Sequence, residues 1–182
     1  MLSSDVLTLT VISLYLSKTP GAISVPVPEL HLRPDIGIVG DTHAGETQFD
    51  PDTGQDVANL RHFTAVNTHE LGAVAEAWGI PFIDPAWLKA NICFASSSKA
   101  PFTETLIAGT ALLNAAGRPV LEIKGATTPC LTAGQIIAAQ FPQLAVKAEL
   151  FPKLAYGQRG VHGIVLEETA ITLGETFTVA LP

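Results

Sequence analysis

The chain has little charge and little sulfur. Asp, Glu, Lys and Arg make up 15% of its 182 residues, and there are two cysteines and one methionine. Two cysteines are too few for the disulfide framework of a small secreted domain, so free thiols in a reducing compartment are expected. The ten Lys and Arg are scattered singly and the net charge is -7. With no basic run to collect phosphates, nucleic acid is not expected as a partner. An anionic small ligand is compatible, because one or two placed cations suffice to hold one. No apolar run reaches the roughly 18 residues of a membrane span. The sequence also lacks a strand-helix glycine fingerprint for a dinucleotide and a phosphate-cradling Gly-Lys-Ser/Thr motif.

The 47% apolar content and this length fit one domain, residues 1–182, with a substantial core. The apolar stretch Val6 to Leu16 lacks a positive leading region, carries Asp5 just before it and alternates with Thr and Ser. A first β-strand explains it better than a signal peptide, and a cytoplasmic protein is expected. Extended segments follow from Ile23 to Leu32, interrupted by Pro26 and Pro28, and then a polar loop from Glu46 to Ala58. Leu60 to Val66 alternates like a strand. Asn67 opens a helix with Glu70 in capping-box position, an apolar face of Leu71, Val74, Ala75 and Trp78, and Gly79 as its stop. Asp84-Pro85 starts a short helix over Ala86 to Ala90. Further strands are expected over Asn91 to Ala95, Thr110 to Ala115, Pro119 to Lys124, Val161 to Leu166 and Thr176 to Leu181. Leu131 to Phe141 and Leu144 to Leu150 read as helices split by Pro142. Many short strands with few helices between them predict a mostly β fold, a closed or partly closed β-barrel.

Cys130 stands where a strand ends at Lys124-Gly125, a loop follows, and a helix begins near Thr132. Unpaired backbone N–H groups and the positive end of a helix dipole there favour thiolate over thiol. A thiolate attacks sulfur, carries a persulfide or ligates a soft metal. The alternative is a buried cysteine acting as a small hydrophobe, against which the polar loop argues. Cys93, inside Ile92-Cys93-Phe94, is expected to be core filler.

The corner Gly40-Asp41-Thr42-His43-Ala44-Gly45 admits two readings. Asp41 orients His43 while the glycines open backbone N–H groups to an anion, or Asp41 bonds its own backbone in a turn. Arg61 and Arg159 each precede a strand, where an arginine either pins a phosphate or carboxylate or lies solvated on the surface. His31 and His69 have no supporting neighbours. Ser96-Ser97-Ser98-Lys99 lacks the companions of a serine-lysine nucleophile, and Pro51 and the missing closing Glu break a calcium-loop reading of Asp50 to Asp56.

Taken in order, Gly37-Ile38-Val39-Gly40-Asp41-Thr42-His43-Ala44-Gly45, Arg61 and Asn91-Ile92 resemble the first half of a MOSC domain. That family is named after the C-terminal part of molybdenum-cofactor sulfurases. Gly109-Thr110, Leu121-Glu122-Ile123 with Pro129-Cys130, Arg159-Gly160-Val161-His162-Gly163-Ile164-Val165 and Leu173-Gly174-Glu175 resemble the second half. The resemblance spans roughly residues 6 to 180. Departures are Lys89-Ala90 where the family shows Gly-Glu, His162 where it shows an aromatic, Gly174-Glu175 where it shows Gly-Asp, and a longer gap between His43 and Arg61.

The resemblance implies a β-barrel whose cleft holds the cysteine, and either molybdenum-cofactor (molybdopterin) binding or a sulfur-carrier role as a persulfide. Cys130 would be the sulfur carrier or molybdenum ligand. Asp41, His43 and Arg61 would line the cleft, with Arg159 toward the pterin phosphate. If catalytic, the protein would be a sulfur transferase or a cofactor-dependent reductase of N-hydroxylated compounds; otherwise it would be a module that binds a metabolite or partner. These residues include no pyridoxal-phosphate lyase domain and no iron-sulfur cysteine set, so a separate sulfur donor or reductase protein is expected.

Overall fold

The computed structural model describes residues 7–182; Val6, with which the expected first strand begins, and Asp5 before it lie outside them. Seven strands close into a barrel: β1 (Thr8–Leu16), β7 (Phe63–Asn67), β8 (Ile92–Ser96), β9 (Ala111–Leu113), β10 (Pro119–Ala126), β11 (Val161–Val165) and β13 (Thr176–Ala180). Their order is β13-β9-β10-β11-β7-β8-β1, and pairing of β1 with β13 shuts the ring. Closure removes the exposed edges that an open sheet of short strands would present. Outside the ring, β2 (Val25–Pro26) extends β1. A small sheet joins β3 (Glu29–Arg33), β4 (Gly37–Ile38) and β12 (Thr169–Thr172), and β5 (Thr47–Asp50) pairs with β6 (Gln55–Ala58).

The side-chain pattern explains the closure. Along β1, Leu9, Val11 and Leu14 are buried, and the step from two residues to three coincides with a register shift between Val11 and Ser13. One extra residue in the strand lets both apolar runs face inward and leaves Ile12 outside. Strands β7 and β8 pair in parallel, and all five residues of β7 are buried. Phe63, Ala65, Ile92 and Phe94 point into the barrel, while Val66 and Cys93 face a second core under the helices. Burial on both faces is what a parallel pair covered by its crossover helix requires.

That crossover is α1 (Thr68–Trp78), which buries Leu71, Val74, Ala75 and Trp78. Asn67 caps it by accepting from the His69 N–H, and Gly79 ends it in the left-handed conformation. Glu70 does not complete a capping box; its carboxylate accepts from the Thr103 N–H and hydroxyl instead. Thr103 lies in α2 (Phe102–Thr105). The second core is completed by α3 (Leu131–Ala138) and α4 (Phe151–Leu154).

Three further expectations need correction. The polar loop from Glu46 to Ala58 is the β5–β6 hairpin, whose side chains are nearly all exposed and so carry no alternation. The short helix after Asp84 is a 3-10 turn, Pro85–Leu88, ended by Lys89 at a φ of 54°. The stretch from Leu144 to Leu150 is not a helix. It runs between 3-10 turns at Pro142–Leu144 and Ala148–Leu150, with Ala145 at a φ of 48° breaking any continuation. Packing accounts for the last: a Cβ on Gly134 of α3 would collide with the Ala148 carbonyl oxygen, so this segment lies directly against the helix.

Candidate functional site around Cys130

The end of β10 and the start of β11 bring the cysteine loop and an arginine together. Ala126 pairs with Val161, and the Thr127 N–H donates to the Gly160 carbonyl at 2.8 Å. This register fixes Thr127-Thr128-Pro129-Cys130 beside Arg159-Gly160. A register shift between Ile123 and Gly125 leaves Lys124 unpaired just before the loop, and such bulges re-aim the chain they precede.

Cys130 is the N-cap residue of α3, with φ -129° and ψ 160°, and its side chain makes no capping hydrogen bond. Its thiol is free and the residue exposed, whereas Cys93 is buried. Burial, only partly offset by a Ser13 hydrogen bond, pushes the Cys93 thiol up to about 11, so it stays protonated in the core. A cleft of about 290 Å3 borders the residues leading to Cys130, lined by Ala126, Thr127, Thr128, Pro129, Tyr156 and Gly157 among others.

Arg159 is 7% exposed. One terminal nitrogen, Nη2, donates to the Leu88 carbonyl at 2.6 Å; the other, Nη1, has no partner among the described residues. Burial lowers the guanidinium to about 10; Cys130 opposes that shift and Arg61 adds to it, which puts both residues within electrostatic reach of Arg159. At neutral pH Arg159 remains a cation. The reading of Arg159 as a solvated surface arginine is therefore corrected: its side chain is buried and bonds the Leu88 carbonyl.

A relay from α1 holds this arginine. The Gly160 N–H donates to Thr103 Oγ1 at 3.0 Å, and Thr103 in turn donates to Glu70. Gly160 has a φ of 90°, and a Cβ there would strike the Ala65 carbonyl oxygen, so only glycine lets β11 start against β7. Burial raises the Glu70 carboxyl above its usual range despite the opposing Thr103 bonds.

Arg61 lies on a second, more polar cleft of about 410 Å3, with Gln48, Phe49, Asp50, Leu60 and His162 among its lining. His162 is held below its ordinary pKa by burial and then by the Arg61 charge, and its buried Nδ1 has no partner. Asp41 and His43 line neither of these clefts. The Asp41 side chain is buried. Its Oδ1 accepts from the His43 N–H at 2.9 Å and pairs with His43 Nδ1 at 3.0 Å. Its Oδ2 accepts from the Ser17 N–H at 3.0 Å and from Asn91 Nδ2 at 2.8 Å. Burial alone would raise the Asp41 carboxyl, but these bonds and the His43 charge together hold it below its ordinary range. Asp41 thus both braces its turn and bonds the His43 ring. Asn59 links the corner to Arg61, donating to the His43 and Gly45 carbonyls while accepting from the Arg61 N–H.

Thr103, the Glu70 relay and the buried hydroxyl of Thr127 escape sequence reasoning. Glu70 follows Asn67 at the very spacing of a capping box, and nothing in the chain order points it to Thr103. The Ser96–Lys99 segment is structural: Ser96 accepts from Asn67, Ser97 from the Thr8 N–H and Ser98 from the Ala100 N–H. Asp50 accepts from the Asp52 N–H and the Thr53 hydroxyl within its own turn. Among the described residues, no three His, Cys, Asp or Glu side chains are placed to hold a metal ion, and no helix is long and apolar enough to cross a membrane.

A seven-stranded barrel with a parallel pair bridged by a helix, and with these motifs in this order, defines a MOSC protein. The chain belongs to the MOSC domain family, whose model matches residues 52–178. It is 28% identical over 172 residues to YuaD of Bacillus subtilis (strain 168), covering 91% of this chain and 87% of that protein. YuaD bears a provisional name as a metal-sulfur cluster biosynthesis protein. The YuaD crystal structure superposes with a TM-score of 0.85 at 27% identity, over 94% of this chain and 95% of that one. YiiM from Geobacillus stearothermophilus shares the fold at a TM-score of 0.61 and 15% identity, over 95% of this chain and 75% of its own.

Proposed function

We propose that this protein binds a molybdenum cofactor or carries sulfur, or does both, through the thiol of Cys130. The observation that carries the reading is an exposed thiol, free of any capping bond, within electrostatic reach of a buried guanidinium with one nitrogen unpartnered among the described residues. A buried cation left half-bonded costs stability unless something else completes it. An anionic ligand seated beside Cys130 completes it.

The residues fit the implied cofactor. Among the described residues Cys130 is an exposed soft donor and no cage of three ligands is present, which suits a metal that arrives with its own ligand set. Arg159 and Arg61 are the cations for an anionic phosphate, and His162, whose buried Nδ1 has no partner among the described residues, lines the Arg61 cleft. When bound, the cofactor supplies a soft metal centre able to exchange sulfur or electrons. Cys130 ligates or carries sulfur as thiolate, Arg159 balances the negative charge beside it, and Arg61 orients the anionic end. Asp41 acts from behind, holding His43 and, through Asn91 and Asn59, the segments that carry Arg61. The family resemblance and the name of YuaD support a metal-sulfur role of this kind.

Sulfur or electrons come from a separate donor molecule in this reading. The test is metal analysis and intact mass of gently purified protein. Molybdenum with pterin, or an added mass of about 32 Da (one sulfur atom) lost in Cys130→Ala, is the expected result. Finding neither would overturn the reading.

A further inference from the structure

We propose that the Cys130 site takes a small anionic sulfane-sulfur donor of the thiosulfate class and transfers its outer sulfur to Cys130 directly. The inference rests on the reading of Cys130 as a sulfur carrier and goes beyond it by naming the chemistry of the donor.

Three independent features converge on an oxyanion beside the thiol. Arg159 Nη1 is buried and unpartnered on the residue that precedes Gly160, and Gly160 is tied by hydrogen bond to the cysteine loop. Thr127 Oγ1 is likewise buried and unpartnered, and Thr127 lines the cleft that borders Pro129. The eight-residue helix α3 begins at Leu131, immediately after an N-cap whose side chain makes no capping bond to its first-turn N–H groups, the groups that bind anions at helix N-termini. Two orphaned buried donors, one on Thr127 of the cysteine loop and one on Arg159 beside the Gly160 that this loop bonds, suit a tetrahedral group with several acceptor oxygens better than they suit an uncharged donor. The thiol among them suits a ligand that carries a transferable sulfur.

The step balances without an added oxidant. The Cys130 thiolate attacks the outer sulfur of thiosulfate and forms a new S–S bond. The bond between that sulfur and the sulfonate sulfur breaks, and sulfite leaves with its electron pair. Cys130 becomes a persulfide anion; a total charge of minus three is carried on each side of the reaction, about one on the protein sulfur and two on the small anion at neutral pH. Charge gathers on the departing sulfite oxygens as the bond breaks. Arg159, the Thr127 hydroxyl and the α3 amides donate to them, as fixed donors do in an oxyanion hole.

The experiment incubates the full chain with thiosulfate and follows sulfite release together with intact mass. The expected result is stoichiometric sulfite and about 32 Da added at Cys130, both absent in Cys130→Ser. Thr127→Val, which removes a hydroxyl while keeping shape, should slow loading about tenfold or more, as loss of a hydrogen bond to a charged group does. Arg159→Lys should slow it further; if that variant fails to fold, Thr127→Val alone carries the test. Loading from a low-molecular-weight alkyl persulfide is run in parallel. Loading from the persulfide but not from thiosulfate would overturn the donor assignment and leave the carrier reading standing. Loading from neither by folded protein would overturn both. Unchanged thiosulfate loading in Thr127→Val and Arg159→Lys would overturn the oxyanion site.

Discussion

Asp41 and Arg159 are both buried charges at strand ends, and they are treated oppositely. Every acceptor direction used by Asp41 is met by the protein: the His43 amide and ring, the Ser17 amide and the Asn91 side chain. Arg159 has one carbonyl, that of Leu88, and an idle nitrogen. A saturated buried charge braces a fold, whereas an unsaturated one costs stability and persists where a ligand completes it. Thr127 and His162, with their own unpartnered buried atoms, stand on the Arg159 side of this contrast.

The comparison breaks most visibly at the support of Arg159. Gly160→Ala places a Cβ into the Ala65 carbonyl at a positive φ, and should cost about 4 kcal/mol or more, measured by urea unfolding. A cost under about 1 kcal/mol would show that the β7–β11 approach yields easily. Asp41→Ala strands the Ser17 and Asn91 donors and should cost about 3 kcal/mol by the same method. Arg159→Met, by contrast, should leave ligand-free stability within about 1 kcal/mol of the parent or raise it, because an unpaired buried cation is exchanged for packing. Equal losses in the two variants would erase the distinction. Thr127→Val should stabilise the ligand-free protein by roughly 0.5–1 kcal/mol by removing an idle hydroxyl, and thermal melts would detect this.

Acid sharpens the contrast without mutation. His62 Nδ1 accepts from the Val165 N–H, and burial, slightly opposed by Asp35, holds the imidazole below its ordinary 6.5. The native state therefore refuses a proton that the unfolded chain takes up below that pH. The contribution of His62 is whole above about 6.5 and declines as the pH falls from there toward the folded value; His162 adds to the same decline. Asp41 behaves differently: its folded pKa lies below 3.8, so its contribution is present above that value and is lost only as the pH falls further. Urea midpoints should decline in two stages, first below about pH 6.5 and again below about pH 4. A flat profile from pH 7 to 5 would contradict the buried-histidine assignment.

The barrel was largely legible because its strands carry their own signal. Leu9, Val11 and Leu14 mark β1, and Asn67 and Gly79 bracket α1 with side-chain and backbone caps that act locally. What stayed illegible depended on distant partners. Thr169–Thr172 is a strand because it pairs with Glu29–Arg33, some 140 positions earlier in the chain, and of its side chains Ile171 alone is buried. Residues Leu144 to Leu150 have helical apolar spacing, yet the close approach to Gly134 permits only tight turns. The helix expected to begin near Thr132 begins at Leu131, directly after Cys130, since strand end, proline and helix start are local features.

From the order of residues alone came a mostly β barrel, a buried Cys93, a Cys130 at a loop–helix junction and a short set of candidate cations. These follow from periodicity and capping, which act over a few residues. Only the tertiary structure decided which cation stands by the thiol and which charge is saturated. Register between β10 and β11 sets Arg159 beside the Cys130 loop, and the packing of α1 on α2 sends Glu70 to Thr103 instead of its own helix end. A buried polar atom declares itself idle only when every neighbour is in place, because satisfaction is a property of the surroundings and not of the residue.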